Sequence, residues 1–205
     1  MHATTPSRRK LTLDDIADLR AYERERPEFR AKVIEIKRRR RIELGTFVTL
    51  MFENRDTMRL QIQEMARVEK ILTDEGIQEE LEAYNPLIPE PGQLCATLFI
   101  ELTSDEAMRE WLPKLVNVER SVVVRLADGS EVRGELDKGH ESQLTRTEVT
   151  AAVHYMTFEF SPQQIETFEQ GPVVVAIDHP AYREDIELMQ TTVDELLRDL
   201  RPDPE

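Results

Sequence analysis

The chain has 205 residues, 40% hydrophobic and 33% charged, and its 41 Asp/Glu against 27 Lys/Arg give a formal net charge of −14. This is enough apolar material for one ordinary domain, and no stretch approaches the ~18 consecutive apolar residues that a membrane helix requires. A single cysteine, Cys95, excludes an internal disulfide and a cysteine-rich zinc or iron–sulfur site.

The start, Met1 to Lys10, is polar and basic with no apolar core behind it, so the expected location is the cytoplasm. Residues 1–11 read as a flexible tail, 12–200 as a single domain and 201–205 as a second tail. Thr12 to Asp15 opens a helix with a capping-box pattern, and Ile16, Leu19 and Tyr22 give it an apolar face. Pro27 marks a break and starts a second helix striped by Phe29, Val33 and Ile36. Thr46 to Glu53 is a buried strand, rich in β-branched and aromatic residues.

From about Asp56 to Asp74 the spacing predicts one helix with an apolar stripe of Met58, Ile62, Met65 and Leu72. Glu69 falls within that stripe and Gln61 at its edge. A carboxylate so placed faces the core and needs a partner, for which Arg26 or Arg30 of the preceding helices is the expected source. Glu64, on the other side, is expected to matter little. After a Pro-rich loop from Asn85 to Gly92, Leu94 to Leu102 forms a strand with its even residues on one apolar face and Cys95 opposite. There Cys95 reads as a small strand hydrophobe.

A short helix carries Trp111, and Asp128-Gly129 signals a hairpin between Ser121–Ala127 and Ser130–Leu136. Lys138 to Thr147 reads as a loop. Ala151 to Phe160 is a strand, Ser161-Pro162-Gln163-Gln164 a helix start and Gly171 its end. Val173 to Ile177 is a buried strand, and Thr192 caps a last helix striped by Val193, Leu196, Leu197 and Leu200. The expected class is α+β: N-terminal helices on a mixed, mostly antiparallel sheet, with a C-terminal helix.

Charge is unevenly placed. Residues 1–41 hold thirteen Lys/Arg against seven Asp/Glu, and the rest of the chain is strongly acidic. The run Lys37, Arg38, Arg39, Arg40 and Arg41 could bind phosphate, but it also suits a helix C-terminus, or docking on the chain's own acidic remainder. An acidic protein overall argues against nucleic acid. The same asymmetry leads to an expected homodimer.

Catalytic signatures are absent. The seven glycines never reach a phosphate-loop spacing, there is no G-x-S-x-G elbow, and no histidine has a glutamate three residues before it. One constellation could bind a ligand or a divalent metal: His154 on an apolar strand face, with Asp178, His179 and Tyr182 at the end of another strand. The plainer reading makes His154 a satisfied core residue and Asp178 a turn residue. No resident cofactor is expected, and a stand-alone enzyme is the less favoured reading.

Five blocks occur in order: Arg26-Pro27-Glu28-Phe29-Arg30, Leu44-Gly45 with Val48 to Glu53, Gln61 to Met65, Tyr84 to Pro89, and Asp178-His179-Pro180-Ala181-Tyr182. With these the chain resembles an uncharacterised bacterial domain-of-unknown-function family of about this length. Its members are often encoded beside rubrerythrin and a cysteine-rich iron–sulfur oxidoreductase. The resemblance implies an accessory role in peroxide or iron-linked redox metabolism, with one of those proteins as partner, and it supplies no catalytic residues.

Overall fold

The computed structural model describes residues 7–136 and 149–202. The class is α+β, with six α-helices and two sheets among the described residues, and every strand pairing in both sheets is antiparallel. None of these helices is long and apolar enough to cross a membrane.

The first sheet has the order β1-β2-β3-β7-β6, from Arg41–Leu44, Val48–Glu53, Gln93–Ile100, Val153–Glu159 and Glu135–Leu136. The second has the order β5-β4-β8-β9, from Glu131–Arg133, Val122–Arg125, Val174–His179 and Tyr182–Glu187. Alternation decides which face is buried. Leu50, Phe52, Leu94, Leu98, Met156 and Phe158 from the first sheet share one core with Val122, Val124, Val175 and Ile177 from the second. Helix α5 (Pro162–Gln170) adds Phe168 to that core, and α6 (Gln190–Leu200) adds Leu196, Leu197 and Leu200.

Tyr182 ties the two sheets together. Its hydroxyl donates to the Leu44 carbonyl at 2.6 Å and accepts from the Thr46 amide at 3.1 Å, clasping the β1–β2 turn. Gly45 in that turn has φ +74, and a Cβ there would collide with the Tyr182 hydroxyl. Only glycine meets both demands.

The other helices are α1 (Leu19–Arg40), α2 (Arg55–Glu69), α3 (Asp74–Tyr84) and α4 (Asp105–Trp111). Helix α1 runs unbroken through Pro27, contrary to the expected break. Pro27 is exposed, and Tyr22, Phe29 and Val33 on either side of it are buried along one stripe. Tertiary packing of that stripe outweighs one lost backbone hydrogen bond. The expected first helix shrinks to a 3₁₀ turn at Leu13–Asp15, and Asp18 caps α1 instead.

Residues Ser7–Leu11, expected to belong to a flexible tail, are tied down. Arg9 donates to the carbonyls of Asp199 and Arg201 at 2.6 Å each, capping the end of α6. Leu11 packs with Met58, Ile62, Leu81 and Ile88. Strand β9 was not anticipated, because an exposed edge strand of mostly charged residues carries no apolar alternation. The expected loop at Lys138 to Thr147 lies outside the described residues.

Candidate functional site

The residues of the His/Asp constellation each have partners of their own. His154 is 1% exposed on the core face of β7, and its Nε2 lies 2.9 Å from both the Ala151 carbonyl and the Thr150 hydroxyl. A carbonyl only accepts, so the imidazole donates from Nε2. Burial holds its pKa below the usual value against the opposing charge of Glu119. His179 belongs to the second sheet; its Nδ1 accepts from the Ala181 amide at 3.2 Å and its Nε2 lies 3.1 Å from the Val116 carbonyl. Asp178 is exposed and paired with Arg125. Tyr182 is committed to the β1–β2 turn. No group of three metal-ligating side chains occurs among the described residues.

The expected Glu69 network is corrected in a specific way. Helix α2 ends at Glu69, where Lys70 adopts φ 56, so the stripe never extends to Leu72. Glu69 is exposed, as are Val68 at 69% and Leu72 at 79%. The carboxylate that meets the N-terminal arginine is Glu64. Arg26 donates to its two oxygens from Nε and Nη2 at 2.7 and 2.9 Å, and the Tyr22 hydroxyl donates at 2.6 Å. This holds Glu64 down at about 2, with the Arg26 hydrogen bonds as the main cause, and burial pushes the Tyr22 phenol up. Arg30 is exposed. Gln63, one position from Glu64, is buried and brackets Ala17 with hydrogen bonds of 2.8 and 3.1 Å.

The basic run is likewise divided. Arg40 is 1% exposed and donates to Glu195 at 3.1 Å and Asp199 at 2.6 Å on α6, so it docks on the chain's own acidic segment. Arg38 pairs with Glu35, and Arg41 with Glu101. Lys37 points elsewhere, into a cleft.

That cleft lies on the outer face of the first sheet. Strand register places Arg41, Met51, Thr97 and Tyr155 side by side across β1, β2, β3 and β7. Phe99 and Val153 follow in the next row on one side, and Glu53 in the row on the other. Lys37 from the last turn of α1, Met58 and Gln61 from α2, and Tyr84 and Leu87 from the end of α3 and the turn after it complete a cavity of about 260 Å³. Gln61 donates to the Tyr84 hydroxyl at a long 3.5 Å. Burial and the nearby Tyr84 and Glu53 raise the Tyr155 phenol above its usual range.

Glu53 is the unusual residue here. It is 4% exposed, and its two oxygens accept from the hydroxyls of Thr57 at 2.6 Å and Thr97 at 2.8 Å. Among the described residues no Lys, Arg or His nitrogen lies within 4.0 Å of its carboxylate. Arg40 reaches only its backbone carbonyl, and spends its charge on Glu195 and Asp199. Buried carboxylates normally have a cation. By local pattern Glu53 is simply the end of a strand. The available signal was alternation: Thr49, Met51 and Glu53 share the face opposite Val48, Leu50 and Phe52, and Thr97 shares it on β3.

Three of the five sequence blocks meet at this cleft, through Glu53, Gln61, and Tyr84 with Leu87. The family model that matches residues 10–200 is described as "Protein of unknown function (DUF3501)". A crystal structure of a protein of unknown function from Burkholderia pseudomallei is similar, with a TM-score of 0.85 and 36% sequence identity. The match covers 93% of this chain and 99% of that one. No curated protein matches.

Proposed function

Starting from the chain's membership of the DUF3501 family, whose function is unknown, we propose that it is an accessory binding protein working through the Glu53 cleft. One observation carries this reading: a buried carboxylate with hydroxyl donors but no cation among the described residues, on the wall of a cavity. A group of this kind costs stability unless a ligand supplies the missing donor, and sites that bind ligands tolerate such costs. The walls are mainly apolar and aromatic with a few polar groups, the usual make-up of a ligand pocket.

The redox part of the proposal draws on the family neighbourhood already described, in which rubrerythrin and an iron–sulfur oxidoreductase are the candidate partners. A binding protein rather than a stand-alone catalyst also suits Cys95, whose buried thiol is pushed up to about 11 and is a poor nucleophile.

Native mass spectrometry tests the cleft directly. The protein is incubated with a bacterial small-molecule extract, and the expected result is an added mass retained by the wild type and lost in Glu53→Gln. Equal retention by both would place the ligand elsewhere. For the partner, affinity capture is expected to recover rubrerythrin or the iron–sulfur protein, and recovery of neither contradicts the redox assignment.

A further inference from the structure

We infer that the ligand of this cleft is a small zwitterion, carrying an ammonium group for Glu53 at one end and a carboxylate for Lys37 at the other; the inference rests on the cleft being the working site. Two charged groups of the cleft, Glu53 and Lys37, have no ion-pair partner among the described residues. A carboxylate offers about four acceptor sites, and Thr57 and Thr97 use two of those of Glu53. Lys37 is half-buried, lines the same cavity and has no acidic partner within 4.0 Å among the described residues. The two do not pair with each other either, so a ligand carrying both opposite charges satisfies both at once.

Lys37 lies one turn before Arg41, which pairs with Met51, and Glu53 is two residues further along β2; because the pair is antiparallel, both lie on the same side of the Arg41–Met51 pair. Met51, Phe99, Tyr84 and Tyr155 line the rest of the cavity, a wall suited to a methylene chain, with aromatic faces that favour an ammonium. The volume of about 260 Å³ suits a small ligand. Arg41 adds positive potential near Lys37, although its guanidinium is already bound to Glu101.

A matched trio separates the charges: 5-aminopentanoate, pentylamine and pentanoate, each titrated calorimetrically into the protein up to ~10 mM. The expected result is tightest binding of 5-aminopentanoate. Glu53→Gln and Lys37→Gln should each weaken it by about tenfold to a hundredfold, the loss of one charge-assisted hydrogen bond. Lys37 sits at a helix end, so its variant keeps the test valid if Glu53→Gln does not fold. Pentanoate or pentylamine binding as tightly as 5-aminopentanoate overturns the zwitterion, as does no binding by any of the three. Gln61→Trp, which fills the mouth, separates this failure from a deeper one. A ligand that binds the wild type and loses affinity in Gln61→Trp still occupies the cleft, whereas one indifferent to Gln61→Trp overturns the cleft reading too.

Discussion

Replacing Glu64 by alanine should destabilise the fold by about 1.5–4 kcal/mol. Two losses make up that figure. The Arg26 pair is bidentate but both side chains are 29% exposed, so its share is about 0.5–1 kcal/mol after solvent screening. The Tyr22 ring is fully buried, and its hydroxyl would lose its acceptor, which costs about 1–3 kcal/mol. For a chain of this size the melting temperature should fall by about 3–16 °C. Glu64→Gln keeps an acceptor for Tyr22 and should cost less than half as much. Urea denaturation of Glu64→Ala, Tyr22→Phe and the double variant measures the coupling. The pH dependence has a fixed sign: a carboxylate held at about 2 against an ordinary 4.5 contributes stability above 4.5, and loses it as pH falls towards 2. Glu69→Ala should be nearly silent. If it costs more than Glu64→Ala, the assignment of partners on α2 is wrong.

Arg40→Ala leaves Glu195 and Asp199 facing each other without their buried cation, and should cost about 3–5 kcal/mol by chemical denaturation. A loss under ~1 kcal/mol would mean that water reaches the pair. Burial pushes the Cys95 thiol up to about 11, so it should resist alkylation at about pH 8 in the native protein and react once urea unfolds it. Fast native labelling refutes that burial. In a two-bond proton–nitrogen NMR spectrum His154 should titrate below the ordinary histidine range, with the proton of its neutral ring on Nε2. A neutral ring with its proton on Nδ1 would contradict its hydrogen bond to the Ala151 carbonyl.

Elements with strong local chemistry were legible in the sequence. The capping box at Ser161 and Gln164, the Asp128-Gly129 hairpin and the alternation through β3 and β7 all form where their patterns place them. What failed depended on distant partners. Pro27 stays within α1 because Tyr22, Phe29 and Val33 pack along one stripe on both sides of it, which no local rule registers. The Glu69 expectation assumed that α2 continued to Asp74, yet a single residue, Lys70 in the left-handed region, ends the helix and exposes the last turn. The rotation of α2 presents Glu64 to Arg26 of α1 and leaves Glu69 in solvent. The histidines drew attention because they are rare in the chain, whereas Glu53 was one of 41 acidic residues. Its distinction arises only when the register brings Thr97 beside it and α2 delivers Thr57.

The four tyrosines provide the most direct test of the cleft as the working site. Tyr84 and Tyr155 line it, while Tyr22 and Tyr182 are buried in separate contacts and serve as internal references. With the tyrosine rings carbon-13 labelled, addition of the small-molecule extract, or of a ligand isolated from it, should move the Tyr84 and Tyr155 signals. Those of Tyr22 and Tyr182 should stay in place, and Glu53→Gln should abolish the shift. A bound ligand that leaves Tyr84 and Tyr155 unmoved, or moves them equally in Glu53→Gln, would contradict the account.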